Sequence, residues 1–129
     1  MKKENKINPN DLHEILEERD GILFWKKRSR KWFNTERGMN SWNARHSGKR
    51  AFTTDNGKGY KKADVNGVTI LEHRTVWAMH HNNWPELFID HINMDKSDNR
   101  IENLREATHS ENLANKNAHR KWAKIHSLS

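Results

Sequence analysis

Behind Asn8-Pro9, apolar residues fall at Leu12, Ile15 and Leu16, the spacing of one helix face. Asn8 is suited to accept from the first backbone N–H groups, Pro9 to occupy the first turn, and Asp11 to sit near the positive helix end. The pattern predicts a capped helix through DLHEILEER, stopped at Asp20-Gly21, and then a strand over Ile22–Trp25. Residues 26–58 show no sustained period and predict short strands and loops, with Arg50–Thr54 as one strand. Residues 60–65 and 68–71 flank Asn66-Gly67, a two-residue hairpin signal. Leu71, Thr75, Ala78, Met79 and Asn82 then share a face, predicting a helix near 72–82 that ends before Trp84-Pro85.

The remaining pattern is strand, polar loop, strand, helix. Leu87–His91 is a short apolar run, INMDKSDNRIEN is rich in turn-forming Asn and Asp, and Leu104–Ala107 is a second strand. Thr108-His109-Ser110-Glu111 is a capping box and predicts a helix running to about Ala118. A basic tail with Trp122 follows from His119, and no repeat or low-complexity tract is evident. The elements predict an α+β fold. Its units are an N-terminal helix with a β-rich basic region (1–71), a core with its preceding helix (72–118), and the tail (119–129).

Composition narrows the chemistry. Of 129 residues, 33% are hydrophobic, so the core must be thin, and six Trp residues partly offset that. Cysteine is absent, which excludes disulfides, Cys-ligated zinc, iron–sulfur clusters and cysteine nucleophiles. No apolar run is long enough to span a membrane, and MKKENKINPN has no apolar stretch of a signal peptide; the expectation is a cytoplasmic protein. The net charge of +7 is unevenly spread. Residues 26–62 hold twelve Lys/Arg against Glu36 and Asp55, whereas residues 85–112 hold seven acids against three Lys/Arg. A basic half suits a polyanion, and a local acidic segment within it suits a hard cation.

The cation and the polyanion meet in the strand–loop–strand–helix segment. Asp90 offers a charged oxygen and Asn112 a neutral one. Two such ligands leave most of a magnesium shell to water and phosphate. His91 follows Asp90 and points to the other side of a strand, so it can act on a water without occupying the metal.

FIDHINMDKSDNRIENLREATHSEN resembles the catalytic motif of phage- and intron-encoded HNH endonucleases, the ββα-metal or His-Me finger type. The resemblance implies a metal-dependent DNA endonuclease. In it Asp90 and Asn112 are metal ligands, His91 is the general base, and Asn103 is structural, tying the loop by hydrogen bonds. It implies one divalent ion, Mg²⁺ or Mn²⁺, no structural zinc, and double-stranded DNA as substrate for a monomer or homodimer. DGILFWKKR, a later GY pair and HRTVWAMHHNNWP are similar to segments upstream of the motif in that family. One departure is Met94, where the family often has Gly. Another is the lack of room for the C-terminal DNA-binding modules of larger relatives, so substrate contact falls to residues 26–62 and the tail. Lys26, Lys27, Arg28, Arg30 and Lys31 are the expected phosphate contacts.

Other residues have competing roles. Asp95, Asp98 and Asn99 are expected to form the loop rather than bind metal. Arg74 either touches phosphate or pairs with an acid such as Glu102, and His73 is either functional or a satisfied buried histidine. His80, His81 and His109 have no evident partner. Trp25 and Trp77 are expected to pack, while Trp32 and Trp42 remain open between packing and base stacking. The alternatives to a nuclease are a non-catalytic DNA-binding module on the same frame and a small basic RNA-binding protein.

Overall fold

A computed structural model describes residues 3–111 together with Leu113 and Ala114. A 3₁₀ turn at Lys3–Lys6 precedes helix α1, Pro9–Ile15. The Asn8 side chain accepts from the Asn10 backbone N–H at 2.9 Å, as its capping position requires.

The helix expected through DLHEILEER stops sooner than its pattern suggests. At Leu16 the backbone turns extended (φ −131°, ψ 142°), and β1, Leu16–Arg19, pairs antiparallel with β2, Ile22–Trp25. Asp20-Gly21 is the cause. With φ of 49° and 81° the two residues form a tight hairpin turn rather than a helix stop. Gly21 is also pressed against the loop of the acidic segment: a Cβ there would lie 2.3 Å from both the Arg100 nitrogen and the Asn99 carbonyl carbon. Gly21→Ala is therefore expected to cost at least ~2 kcal/mol in denaturant unfolding, combining left-handed strain with a backbone clash. A loss below about 0.5 kcal/mol, within the range of ordinary surface changes, would mean that the turn moves aside freely.

Residues 26–58 contain a helix the sequence pattern does not announce. After a 3₁₀ turn at Arg30–Trp32, α2 spans Glu36–His46, with Thr35 accepting from the Gly38 N–H at 3.0 Å. Its inward apolar residues are only Met39 and Trp42, too few to produce a visible stripe. The strand expected at Arg50–Thr54 is reduced to one bridge, Arg50 to Phe24. Buried Phe52 adopts φ 57° and swings the chain away before β3, Thr54–Asp55. The expected Asn66-Gly67 hairpin is present: β4, Lys61–Val65, pairs with β5, Val68–Leu71, completing a sheet of order β3-β4-β5.

Helix α3, Glu72–His81, ends at Asn82 in a left-handed conformation. Strands β6, Phe88–His91, and β7, Leu104–Ala107, form the last hairpin, with Asp90 opposite Arg105 and His91 opposite Leu104. The capping box closes reciprocally: Glu111 N–H donates to Thr108 Oγ1 at 3.2 Å, and Thr108 Oγ1 donates to the Glu111 carboxylate at 3.0 Å. Residues 109–111, 113 and 114 are helical. The expected run to Ala118 and the tail from His119 lie outside the described residues.

One buried cluster joins Leu12, Ile15, Leu16 and Leu23 to Ile70, Val76, Ile89 and Leu104, so the hairpin β1-β2, helix α3 and the strands β6 and β7 share a core. Trp25, Trp32 and Trp77 pack against it. No helix among the described residues is long and apolar enough to cross a membrane.

Candidate functional site

Strand β6 runs from an exposed Phe88 to three buried residues, Ile89, Asp90 and His91. Asp90 is 3% exposed and His91 4%. Across the hairpin, Arg105 Nε donates to Asp90 Oδ2 at 3.2 Å, a pairing fixed by strand register. A carboxylate this buried, facing a half-exposed arginine, is a hard anionic donor and fits a divalent cation. No group of three or more His, Cys, Asp or Glu residues among the described ones could hold a metal ion. Asn112, the expected second ligand, lies outside the described residues.

The loop between the strands is tied from Asn103. Its Oδ1 accepts from the Asn93 N–H at 3.0 Å, and its Nδ2 donates to Asn93 Oδ1 at 2.9 Å and to the Asp98 carbonyl at 2.8 Å. Asp95 accepts from the Ser97 N–H and hydroxyl, which hold its carboxyl below the usual range. Asp98 is held lower still by the Arg100 guanidinium, at 2.8 Å, and also accepts from Asn93 Nδ2. Both acids are thus occupied in loop formation. Met94, at φ 66°, takes a left-handed conformation that favours glycine. Met94→Gly is expected to raise stability by about 0.5–1 kcal/mol, because relief of backbone strain exceeds the entropy that glycine adds to the unfolded chain. A chemical-denaturation midpoint at or below the wild-type value would contradict this.

Asn99 does more than shape the loop. It is 3% exposed, and its Oδ1 lies 2.7 Å from His91 Nε2. Its Nδ2 donates to Glu72 Oε1 at 3.0 Å. The carboxylate fixes the amide with its oxygen toward His91, and an amide oxygen only accepts. With the amide oxygen facing the ring, His91 Nε2 is the donor of this hydrogen bond. Glu72, at the start of α3, is 1% exposed, and burial pushes its carboxyl up; the Asn99 hydrogen bond and the Arg50 charge, 3.7 Å away, pull it back. Sequence spacing does not disclose this Glu72–Asn99–His91 chain, whose first two members are 27 positions apart.

Tyr60, His73 and His91 form a ring cluster: Tyr60 stacks on His73 with centroids 4.9 Å apart, and His91 lies tilted against His73 at 5.2 Å. Burial depresses the His73 pKa to about 3, aided by His91 and Arg74, so His73 is neutral at physiological pH. The Tyr60 hydroxyl is pushed up by burial and by the Asp90 charge. Lys96 Nζ sits 4.9 Å from the Tyr60 ring centroid and donates to the Lys58 carbonyl.

The other expected site residues are dispersed. Arg74 pairs with neither Glu102 nor an open surface: it is buried against Glu4 at 2.7 Å. Arg28 is 7% exposed, with its guanidinium over Trp42 (4.0 Å), Trp25 (4.8 Å) and Trp32 (5.6 Å), and burial lowers its pKa to about 10. In this packing it is a structural cation rather than an exposed phosphate contact. Lys26 donates to the His13 carbonyl, Arg30 donates to the Phe33 and Asn34 carbonyls, and Lys31 pairs with Glu14 at 2.7 Å. Lys27 is exposed. Three histidines without evident partners acquire them: His80 contacts Glu18, His81 lies on Trp77, and His109 lies near Phe88.

The family model for HNH endonucleases matches residues 71–114, which hold the end of β5, α3, the β6–β7 hairpin and the start of the final helix. No curated protein and no solved structure matches the chain.

Proposed function

We propose, on the match of residues 71–114 to the HNH endonuclease family, that the chain hydrolyses phosphodiester bonds of double-stranded DNA with His91 as the general base. The observation that carries the proposal is the His91–Asn99 contact. It leaves the protonated Nε2 engaged and Nδ1 able to take a proton from water. The water oxygen then forms a bond to phosphorus as its proton passes to Nδ1. The bond from phosphorus to one ester oxygen breaks, and the leaving oxygen takes a proton from solvent water.

The hairpin β6-β7 and the helix begun at the capping box support a ββα-metal core. Asp90 and Asn112 are the residues that would hold one divalent ion, Mg²⁺ or Mn²⁺. When bound, the ion neutralises charge developing on the phosphate and the leaving oxygen. Asn103 keeps the loop closed, so that Asn99 stays against His91. Lys96 and Arg105 are exposed, held by the Lys58 carbonyl and by Asp90, and in this reading they would meet phosphate near the site. The upstream segments DGILFWKKR and HRTVWAMHHNNWP support the phage or intron-encoded type. One site per chain implies nicking by a monomer, or cutting of both strands by a homodimer.

Incubation of the purified chain with supercoiled plasmid and a panel of phage DNAs in Mg²⁺ or Mn²⁺ tests the reading. Open-circular or linear products are expected, and EDTA is expected to prevent them. Intact DNA under every metal would remove the nuclease proposal, and binding without cleavage would favour a DNA-binding module instead.

A further inference from the structure

The matched domain leaves residues 3–70 without a role, and within them α2 differs from α1, and from α3 in the matched domain, in how it packs. It is 11 residues long and none of its residues is buried. Short helices in proteins persist chiefly because tertiary packing buries one face, so a helix with no buried residue is an odd use of chain in a protein with a thin core. Yet α2 is firmly seated. Asn43 bridges the Arg28 backbone in both directions, accepting from its N–H and donating to its carbonyl, each at 2.9 Å. Trp42 meets Trp25 edge-on at 5.6 Å and covers the buried Arg28 guanidinium. After the helix, the Gly48 N–H donates to the Trp25 carbonyl, and the Trp25 N–H donates to the Lys49 carbonyl.

Exposure divides the helix at a helical period. Met39, Trp42, Asn43 and His46 are partly covered, at i, i+3, i+4 and i+7. Arg37, Asn40, Ser41, Ala44 and Arg45 are exposed on the opposite side. That outer face has two arginines, an amide, a hydroxyl and a small methyl. Glu36, in the first turn, is the helix's one acid, while Lys49 and Arg50 follow the C-terminal end. Arginine and asparagine are the side chains that form paired hydrogen bonds to guanine and adenine edges, and a helix of this width enters the major groove. Of the basic residues expected to do this work, Arg28 is buried, while Lys26, Arg30 and Lys31 are exposed and each also contacts another part of the chain. The aromatics interleaved with them form the seat of α2 and not a stacking platform.

We propose that α2 is the duplex-DNA contact helix of this protein, presenting Arg37, Asn40, Ser41 and Arg45 to the major groove. The proposal rests on the nuclease reading for its partner and adds where that partner is held. The seat connects physically to the catalytic centre. Arg50, just beyond the helix, is paired with β2 at Phe24 and reaches Glu72, the carboxylate that holds Asn99 against His91.

The test uses the full chain in EDTA, where cleavage is blocked, with fluorescence anisotropy on a labelled mixed-sequence duplex at several salt concentrations. The variant Arg37→Ala/Asn40→Ala/Arg45→Ala is expected to bind at least ~10-fold more weakly, and its log K against log salt slope is expected to fall by about 2, one for each lost phosphate-range cation. Its melting temperature should match the wild type, because the three side chains face outward. Glu36→Gln is expected to change affinity in the opposite direction, tightening binding. Wild-type affinity and slope in the triple variant would overturn the assignment. If the wild-type chain binds duplex through this helix but cuts no DNA in any metal, the nuclease reading fails and the helix assignment stands.

Discussion

His91→Ala is expected to reduce cleavage by roughly 10²–10⁴-fold, the usual contribution of a positioned general base, with duplex binding intact. Asn99→Ala is expected to reduce it by roughly 10–100-fold, although Asn99 acts only by positioning His91. The substitution leaves the His91 Nε2–H and the Glu72 carboxylate without their partner, and unpaired buried polar groups each cost about 1–3 kcal/mol. The ring can then rotate or exchange tautomer, and the fraction of molecules with Nδ1 facing the reacting water falls. Asn99→Asp alone sets two carboxylates side by side and should also be impaired. Adding Glu72→Gln to it restores a donor on one side and an acceptor on the other, so the double variant should recover most of the single-turnover rate. Activity in Asn99→Ala equal to wild type, or a double variant no better than Asn99→Asp, would show that His91 needs no such support.

The chain of Glu72, Asn99 and His91 also explains why distant parts of the fold bear on this site. Glu72 is the first residue of α3, whose N-terminus is set by the preceding hairpin β4-β5. Asn99 is pressed from outside by the β1-β2 turn, where Gly21 alone leaves room for its backbone. The base is therefore held by a loop that two separate hairpins keep in place. Tightness at Gly21 should be visible in cleavage as well as in stability, because a displaced Asn99 releases His91.

Short-range chemistry was readable in the sequence where a local motif decides the backbone by itself. Asn66-Gly67 and the Thr108–Glu111 capping box are of this kind, and α3 follows from its apolar spacing. Asp20-Gly21 has the same hairpin chemistry, but the strong cap at Asn8 and the run Leu12, Ile15, Leu16 favour a longer helix. The choice is made by burial of Leu16 and Leu23 on opposite strands of one hairpin, a tertiary fact. Helix α2 was not readable, since its inner face is held by an indole and an amide, Trp42 and Asn43, and not by an aliphatic stripe. At the site, the Asp90-His91 pair lies within a recognisable motif. The residues that orient it do not, because Glu72 and Asn99 meet only after the chain folds.

Another such pairing joins Glu4 to Arg74, 70 positions apart, and breaking it is expected to have the largest effect on stability. Arg74 Nε and Nη2 donate to the Glu4 carboxylate, Nη2 also donates to the Pro85 carbonyl at 3.0 Å, and Nη1 donates to the Leu87 carbonyl at 3.1 Å. The side chains are 7% and 8% exposed. Glu4→Ala leaves a buried guanidinium facing two carbonyl dipoles and no counter-charge, which costs about 3–5 kcal/mol. Against a total of roughly 5–15 kcal/mol, that is a large share, and the melting temperature should fall by about 10–20 °C. Arg74→Met should be similarly damaging, because it strands the Glu4 carboxylate and both carbonyls. The double variant Glu4→Leu/Arg74→Met removes the buried charges together and should recover part of the loss. It cannot recover all of it, since the Pro85 and Leu87 carbonyls remain unsatisfied. A melting temperature for Glu4→Ala within about 2 °C of wild type would mean that water reaches the guanidinium and the pair is worth no more than a surface bridge. The consequence for function follows from position: Leu87 directly precedes β6, so the pair anchors to α3 and the N-terminal turn the strand that carries Asp90 and His91. Cleavage in Glu4→Ala should therefore fall off at a lower temperature than in the wild-type chain, tracking its unfolding.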